Sequence, residues 1–327
     1  NNTAQKVTTA TLLALVSLLP IIYIPGVYDF TRWPRLLMLQ VAVILLAVTW
    51  FRSHKNPKGL PRIAVPVSAF VGWQILTTLW ADNAVEALQR GSQAFTMGGF
   101  ALLCAFLVSP SEIRRVILAT AAATAFVSII CICQYWGIAF EWIPTAGNPS
   151  ATFGYRNYLA TYLVVVLPPI GVVAWPEPNR GLRWLLLTAT ALGATALLCT
   201  RTRGAWMAAI VIGVIGGVIW VMSGDFDRLR NRLSFRSILT VVVTLFLIGV
   251  LGLRSASETP GGQFRIDEQK SDALTALKTS FSVESSRGRT TVWYNTLDMV
   301  VEHPIVGVGL GGWQFAYPLY DKGDQIT

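Results

Sequence analysis

Residues 200–222 read TRTRGAWMAAIVIGVIGGVIWVM. From Ala205 to Met222 this stretch holds no Asp, Glu, Lys or Arg. A helix needs roughly 20 mostly apolar residues to cross a bilayer, and this run comes close to that length. Two arginines, Arg201 and Arg203, stand at its mouth. The reading is therefore a membrane helix with cations at one end, and it sets the fold class for the whole chain.

Eight further runs have the same character: Thr8–Tyr28, Leu36–Phe51, Ile63–Trp80, Ala94–Val108, Ile113–Gly137, Tyr158–Trp175, Leu182–Thr200 and Ile238–Leu253. The expected fold is all-α, a polytopic helical membrane protein of about nine spans. Composition agrees. The 327 residues are 53% hydrophobic and 13% charged, against about 25% charged in soluble domains. Pro168-Pro169 lies inside one run; neighbouring helices can satisfy the backbone groups that such residues free. The net charge of +9 suggests nucleic acid only when basic residues share one folded face. Here they alternate with apolar runs, so membrane topology explains them better.

The alternation gives an orientation. One set of short loops carries Lys6, Arg52, Lys55, Lys58, Arg62, Arg114, Arg115, Arg180, Arg183, Arg228, Arg230, Arg232 and Arg236. The opposite set carries Arg32, Arg35, Arg90, Arg156, Arg201 and Arg203. Basic loops stay in the cytoplasm, so the N-terminus is expected there. Residues 1–253 then form a transmembrane bundle and 254–327 an extracytoplasmic loop region. The sequence opens Asn1-Asn2 without Met, so upstream residues are expected. In the loop region a short helix is expected around Asp267–Thr279. A second, Thr290–Glu302, places Val292, Trp293, Leu297, Val300 and Val301 on one face suited to the membrane interface. Pro304 ends it.

The outer arginines run against the charge trend. Interfacial snorkelling is the ordinary explanation. The alternative is an anion site, because guanidinium is a forked, permanently charged donor matched to phosphate. Arg203, and Arg289 in SSRGRTTVW (285–293), are the leading candidates. Arg201, Arg287 and Arg156 are their candidate companions in substrate binding, and Tyr155 and Asn157 beside Arg156 could grip a sugar.

Other motifs carry less. Gly307-Val-Gly309-Leu-Gly311-Gly312 matches a dinucleotide fingerprint in letters, but that motif needs a βαβ setting. A glycine turn that leads the chain back to the bilayer is the expectation. Cys104, Cys131, Cys133 and Cys199 all lie in apolar runs and read as small core residues. With two histidines the chain has few metal ligands, and no metal or cofactor is expected. His303 stands directly before Pro304, where capping a helix end is its ordinary role; a general base is the alternative. The span interiors hold no acidic or basic residue, which weakens a proton-coupled carrier.

Three blocks together resemble a known family. SATFGYRNYLATYLVVVLPP (150–169), TRTRGAW (200–206) and SSRGRTTVW followed by HPIVGVGLGGWQFAYPLY (303–320) look like the O-antigen ligase and polymerase superfamily. The resemblance implies a GT-C-like glycosyltransferase of the bacterial inner membrane. It would pass a glycan from undecaprenyl pyrophosphate to a lipid or glycan acceptor at the periplasmic face. It implies arginines, not a metal, on the diphosphate: Arg203 in the S/T-R-G motif and Arg289 in G-R-x-x-x-W. It also implies a base histidine in an H-N-x-x-L segment, before which this sequence ends at Thr327. Two other classes stay open: an anion transporter, bicarbonate among the candidates, and a scaffold subunit with partners in a membrane complex.

Overall fold

The computed structural model describes residues 2–27, 29–53, 61–136, 140, 142–143, 149–222 and 283–321. Among them every regular element is helical and there is no strand. The helices are α1 (Asn2–Leu18), α2 (Arg32–Ser53), α3 (Ala64–Leu76), α4 (Ala84–Leu107), α5 (Pro110–Tyr135), α6 (Arg156–Ala174), α7 (Arg180–Cys199), α8 (Arg203–Met222), α9 (Val283–Glu302) and the single turn α10 (Trp313–Ala316). Short 3-10 turns cover Thr77–Trp80, Ala151–Phe153 and Tyr317–Leu319.

Four of these are long and apolar enough to cross a membrane: Arg32–Arg52, Pro110–Tyr135, Arg156–Ala174 and Arg180–Cys199. Two apolar helices, Ala64–Trp80 and Arg203–Ile219, are shorter. Of the expected nine or so spans, these are the apolar helices seen among the described residues. The run Ile238–Leu253 and the helix expected near Asp267–Thr279 lie outside them. The Thr8–Tyr28 run is helical only to Leu18, because Pro20 and Pro25 cannot continue the backbone ladder.

The chain divides into two compact units. One comprises Leu13–Arg35 and Pro110–Ser280. Its described core is the mutually packed trio α5, α6 and α7, with α6 antiparallel to the other two. At the end where α6 closes and α7 begins, Ala121, Ile170, Ala174, Leu186 and Ala189 pack together. At the other end Val127, Ile130, Leu159, Leu163, Ala196 and Trp206 do so. Gly193 lets the three helices approach: a Cβ there would stand 2.5 Å from Leu167 Cδ2 and 3.4 Å from Thr124 Cγ2. Thr124 and Tyr162 share a hydrogen bond of 2.9 Å between α5 and α6. Asn179 caps α7 by accepting the Leu182 amide at 3.2 Å, as side-chain oxygens do at helix starts. Beside it, the buried carboxylate of Glu177 accepts from Arg114 Nη2 at 2.6 Å. That bond holds the Glu177 carboxyl below the usual carboxylate range.

The other unit comprises Asn1–Leu12, Leu36–Ser109 and Phe281–Thr327. Here α4 begins ten residues before its expected apolar run. Asn83 caps it by accepting the Glu86 amide at 3.0 Å, and Glu86 pairs with Arg90 one turn on at 2.7 Å. Apolarity marks a span; capping and i,i+4 pairing mark where the helix starts. Val71 of α3 leans onto Gly98 of α4, where a Cβ would lie 2.3 Å from Val71 Cγ2. Helix α9 starts at Val283, seven residues before the expected Thr290. It ends at Glu302, just before Pro304, as expected. Trp293, Leu297, Val300 and Val301 are exposed, while Asn295 and Met299 turn inward. The apolar face of this helix thus points away from its own unit.

Candidate functional site

The site in the α5–α8 unit starts from one side chain. Gln134 lies at the end of α5 and is fully buried. Its Oε1 accepts the backbone amides of Ser150 and Ala151, at 3.0 and 2.7 Å. Ala151 takes φ +48°, left-handed for a residue with a side chain. Such conformations persist where surroundings over-determine them, and here the two amides have nowhere else to go.

The same turn is gripped from a second side. Arg35 Nη2 donates to Thr152 O at 3.0 Å and to Pro20 O at 3.2 Å. Its guanidinium lies 4.1 Å over the Phe153 ring. The Thr152 hydroxyl also donates to Pro20 O. Gly154 follows at φ +71°, and a Cβ would meet the Phe30 ring at 2.7 Å. That glycine is required twice, for conformation and for space.

The chain leaves this turn through Tyr155 and enters α6 at Arg156. The Tyr155 and Tyr158 rings meet edge-on with centroids 5.6 Å apart. Asn157 Oδ1 accepts from the Thr202 hydroxyl at 3.2 Å. Thr202 belongs to the three-residue link, Thr200–Thr202, between α7 and α8. Its neighbour Arg201 adopts φ +49°, and Arg201 Nη2 reaches Tyr135 OH at 3.4 Å. Trp206 Nε1 donates to Leu197 O at 3.1 Å and ties the first turn of α8 to α7. Arg203 is the first residue of α8.

The fold therefore gathers Tyr155, Arg156, Asn157, Arg201 and Arg203 at one end of a single unit. Arg156, Arg201 and Arg203 are all half-buried there. Three guanidiniums at a junction of helix ends form a cationic surface that suits a phosphate group. Sequence reasoning missed Gln134 and Arg35. The signal for Gln134 was a lone amide closing an apolar run. The signal for Arg35 was an arginine one turn into a span.

Arg287 and Arg289 lie on the first two turns of α9, in the other unit. Their side chains fall outside the described residues.

The glycine motif near them forms a turn on the α3–α4 corner. Gly307, Gly309 and Gly311 have φ of +62°, +80° and +77°. A Cβ on Gly309 would stand 2.6 Å from Ala81 Cα, and one on Gly311 2.8 Å from Glu86 Cγ. Leu310 N donates to Thr77 O at 3.3 Å, and Trp80 Nε1 to Val306 O at 3.1 Å. The glycines serve close backbone approach, with no strand before them. This is the turn that the sequence led us to expect.

Residues 188–326 match the family model described as O-antigen ligase. Over these residues the chain is similar to the O-antigen ligase family. The matched stretch includes Arg201, Thr202, Arg203, Arg289 and the glycine turn. Asn157 lies outside it, yet bonds to Thr202 within it. No curated protein and no solved structure matches the chain. With four helices long and apolar enough to cross a bilayer and this family match, the chain reads as a multi-pass membrane protein.

Proposed function

We propose that this protein is a glycosyltransferase of the O-antigen ligase type. It takes a glycan from undecaprenyl pyrophosphate and passes it to an acceptor hydroxyl at the periplasmic face of the bacterial inner membrane. The N-terminus is cytoplasmic, residues 1–253 hold the bundle, and 254–327 lie on the outer side. The observation that carries the reading is the Asn157–Thr202 bond, which joins the FGYRN and TRTRG blocks at one end of the helices. Arg156, beside Asn157, and Arg201 and Arg203, beside Thr202, then belong to one end of the same unit.

The chemistry follows from charge. The acceptor oxygen attacks the sugar's anomeric carbon, and the bond from that carbon to the diphosphate oxygen breaks. The electron pair leaves on the diphosphate, and the acceptor's proton passes to a base. Arg203 and Arg289 meet the charge that develops on the leaving group, where preorganised donors act most strongly. Arg201, Arg156 and Arg287 hold the diphosphate in place, and Tyr155 and Asn157 meet the first sugar. No metal is required, since guanidiniums supply the counter-charge.

The test is transfer from purified undecaprenyl-pyrophosphate glycan by the full native chain in liposomes. Arg203→Ala and Arg289→Ala should each lower the rate by about 10²–10³, the usual cost of one preorganised donor. Lysine should restore little, because it keeps the charge and loses the fork. Full activity in both alanine variants, or strict dependence on added Mg²⁺, sinks the assignment. Movement of a labelled anion without transfer would favour the transporter.

A further inference from the structure

The far end of the α5–α7 trio, away from the arginine site, is cationic as well. Ile117 and Leu118 of α5 and Leu182 of α7 pack on one buried cluster with Ile170 and Ala174 of α6. Arg114 and Arg115 stand one turn before the α5 pair, and Arg180 and Arg183 flank Leu182. Packing of that cluster therefore brings two arginine pairs, distant in the chain, to one end of the helices. Arg114 also reaches across to the α6–α7 turn. Its Nη2 donates to Glu177 at 2.6 Å, and the other oxygen of that carboxylate accepts the Asn179 amide at 3.2 Å. The Arg114 side chain stays 52% exposed while held there.

The accessible charge at this end is positive. Glu112 and Glu177 are both buried, whereas Arg114, Arg115 and Arg180 are exposed. Arg115 and Arg180 enter no ion pair among the described residues.

Depth fits a lipid headgroup. From Arg115 to Gln134, α5 rises about 29 Å at 1.5 Å per residue. That is close to the roughly 30 Å hydrocarbon core. With Gln134 and the arginine site at one interface, Arg115 stands at the other. Trp175 and Trp184 are exposed at the same end, as amphipathic rings are at headgroup level. Ile113 and Leu185 are exposed within a turn of the arginines. A free phosphate would use the guanidiniums alone. A phospholipid uses the guanidiniums, the indoles and the apolar side chains together.

We propose that this end binds an anionic glycerophospholipid, its phosphate on Arg114, Arg115 and Arg180 and its acyl chains running past Ile113, Trp184 and Leu185. Guanidiniums are forked phosphate donors, and basic pockets between membrane helices take such headgroups. The lipid ties the start of α5 to the start of α7. It is a bound partner, neither donor nor acceptor in the transfer proposed above.

The experiment follows lipid retention on the full native chain by native mass spectrometry. The chain is titrated in detergent with phosphatidylglycerol or with phosphatidylcholine of the same acyl chains. Phosphatidylglycerol should stay bound and phosphatidylcholine should not. Arg115→Ala/Arg180→Ala should weaken phosphatidylglycerol binding about thirtyfold, worth about 2 kcal/mol. Arg52→Ala/Arg62→Ala removes two exposed arginines from the other unit and should leave binding unchanged. Equal retention of the two lipids, equal loss in the two double variants, or wild-type binding by Arg115→Ala/Arg180→Ala overturns the proposal. So does displacement of the lipid by inorganic phosphate beyond that by chloride at equal ionic strength. If Arg115→Ala/Arg180→Ala does not fold, the wild-type preference between the two lipids decides alone.

Discussion

Two corners of this protein solve one problem in opposite ways. Each must seat a connecting segment on the ends of helices. In the α5–α8 unit the 150–154 turn is held by polar side chains: Gln134 takes two backbone amides, and Arg35 reaches two backbone carbonyls. In the α3–α4–α9 unit the 307–312 turn is held by the lack of side chains, with Gly309 and Gly311 against Ala81 and Glu86. The first corner is sensitive to what is removed. The second is sensitive to what is added. Backbone in the membrane must have every polar group satisfied, and both devices do that: one brings an acceptor to the amides, the other brings the backbone close enough to bond Thr77 O.

The largest effect should come from removing an acceptor. Gln134→Leu keeps the volume but leaves the Ser150 and Ala151 amides buried without a partner. Each such group costs about 1–3 kcal/mol, so thermal unfolding of the full chain in detergent should show a loss of about 2–6 kcal/mol. Gln134→Glu, which keeps an acceptor oxygen, should recover part of it. A Gln134→Leu variant as stable as wild type would show that the turn does not depend on α5.

Adding one methyl at the other corner should cost somewhat less. Gly309→Ala meets Ala81 Cα at 2.6 Å and forces φ +80° on a residue with a Cβ. Left-handed backbone costs roughly 1–2 kcal/mol and overpacking about 1–3, so a loss of about 2–5 kcal/mol is expected. Gly216→Ala on α8 is the control. Nothing lies within 4 Å of its Cβ, and helix propensity favours alanine by about 1 kcal/mol. If both glycines respond alike, space at the turn is not what selects them.

The smallest effect concerns a third junction, between α6 and α7. The Arg114 bond holds the Glu177 carboxyl below its ordinary value. A carboxyl lowered in this way adds stability that is fully present above the unfolded value of about 4.3, and that stability disappears as pH falls through the folded value. Glu177→Gln should therefore lower Tm slightly at neutral pH, and the gap to wild type should close below about pH 4. A gap that persists in acid would assign the effect to packing, not to the ion pair.

The comparison also shows why the two corners were unequally legible. Glycines at 307, 309 and 311 announce a turn by residue type, and the turn was there. Gln134 and Arg35 announce nothing: a single amide ending an apolar run has many ordinary uses. The start of α9 was missed for a related reason. Ser285, Ser286 and Gly288 read as loop chemistry, yet the backbone there is helical. Local propensity is a weak signal that tertiary context overrides.

The sequence by itself determined the helical membrane class, the positions of α5, α6 and α7, and the family blocks with their arginines. These follow from apolar run length and residue type, which are local quantities. Only the tertiary structure decided that Asn157 meets Thr202, that Gln134 and Arg35 clamp the turn before Arg156, and that Arg114 reaches Glu177. Those pairings join residues 16 to 117 positions apart. No period in a chain encodes such distances; they are set by which helix faces pack, and packing is a property of the whole fold.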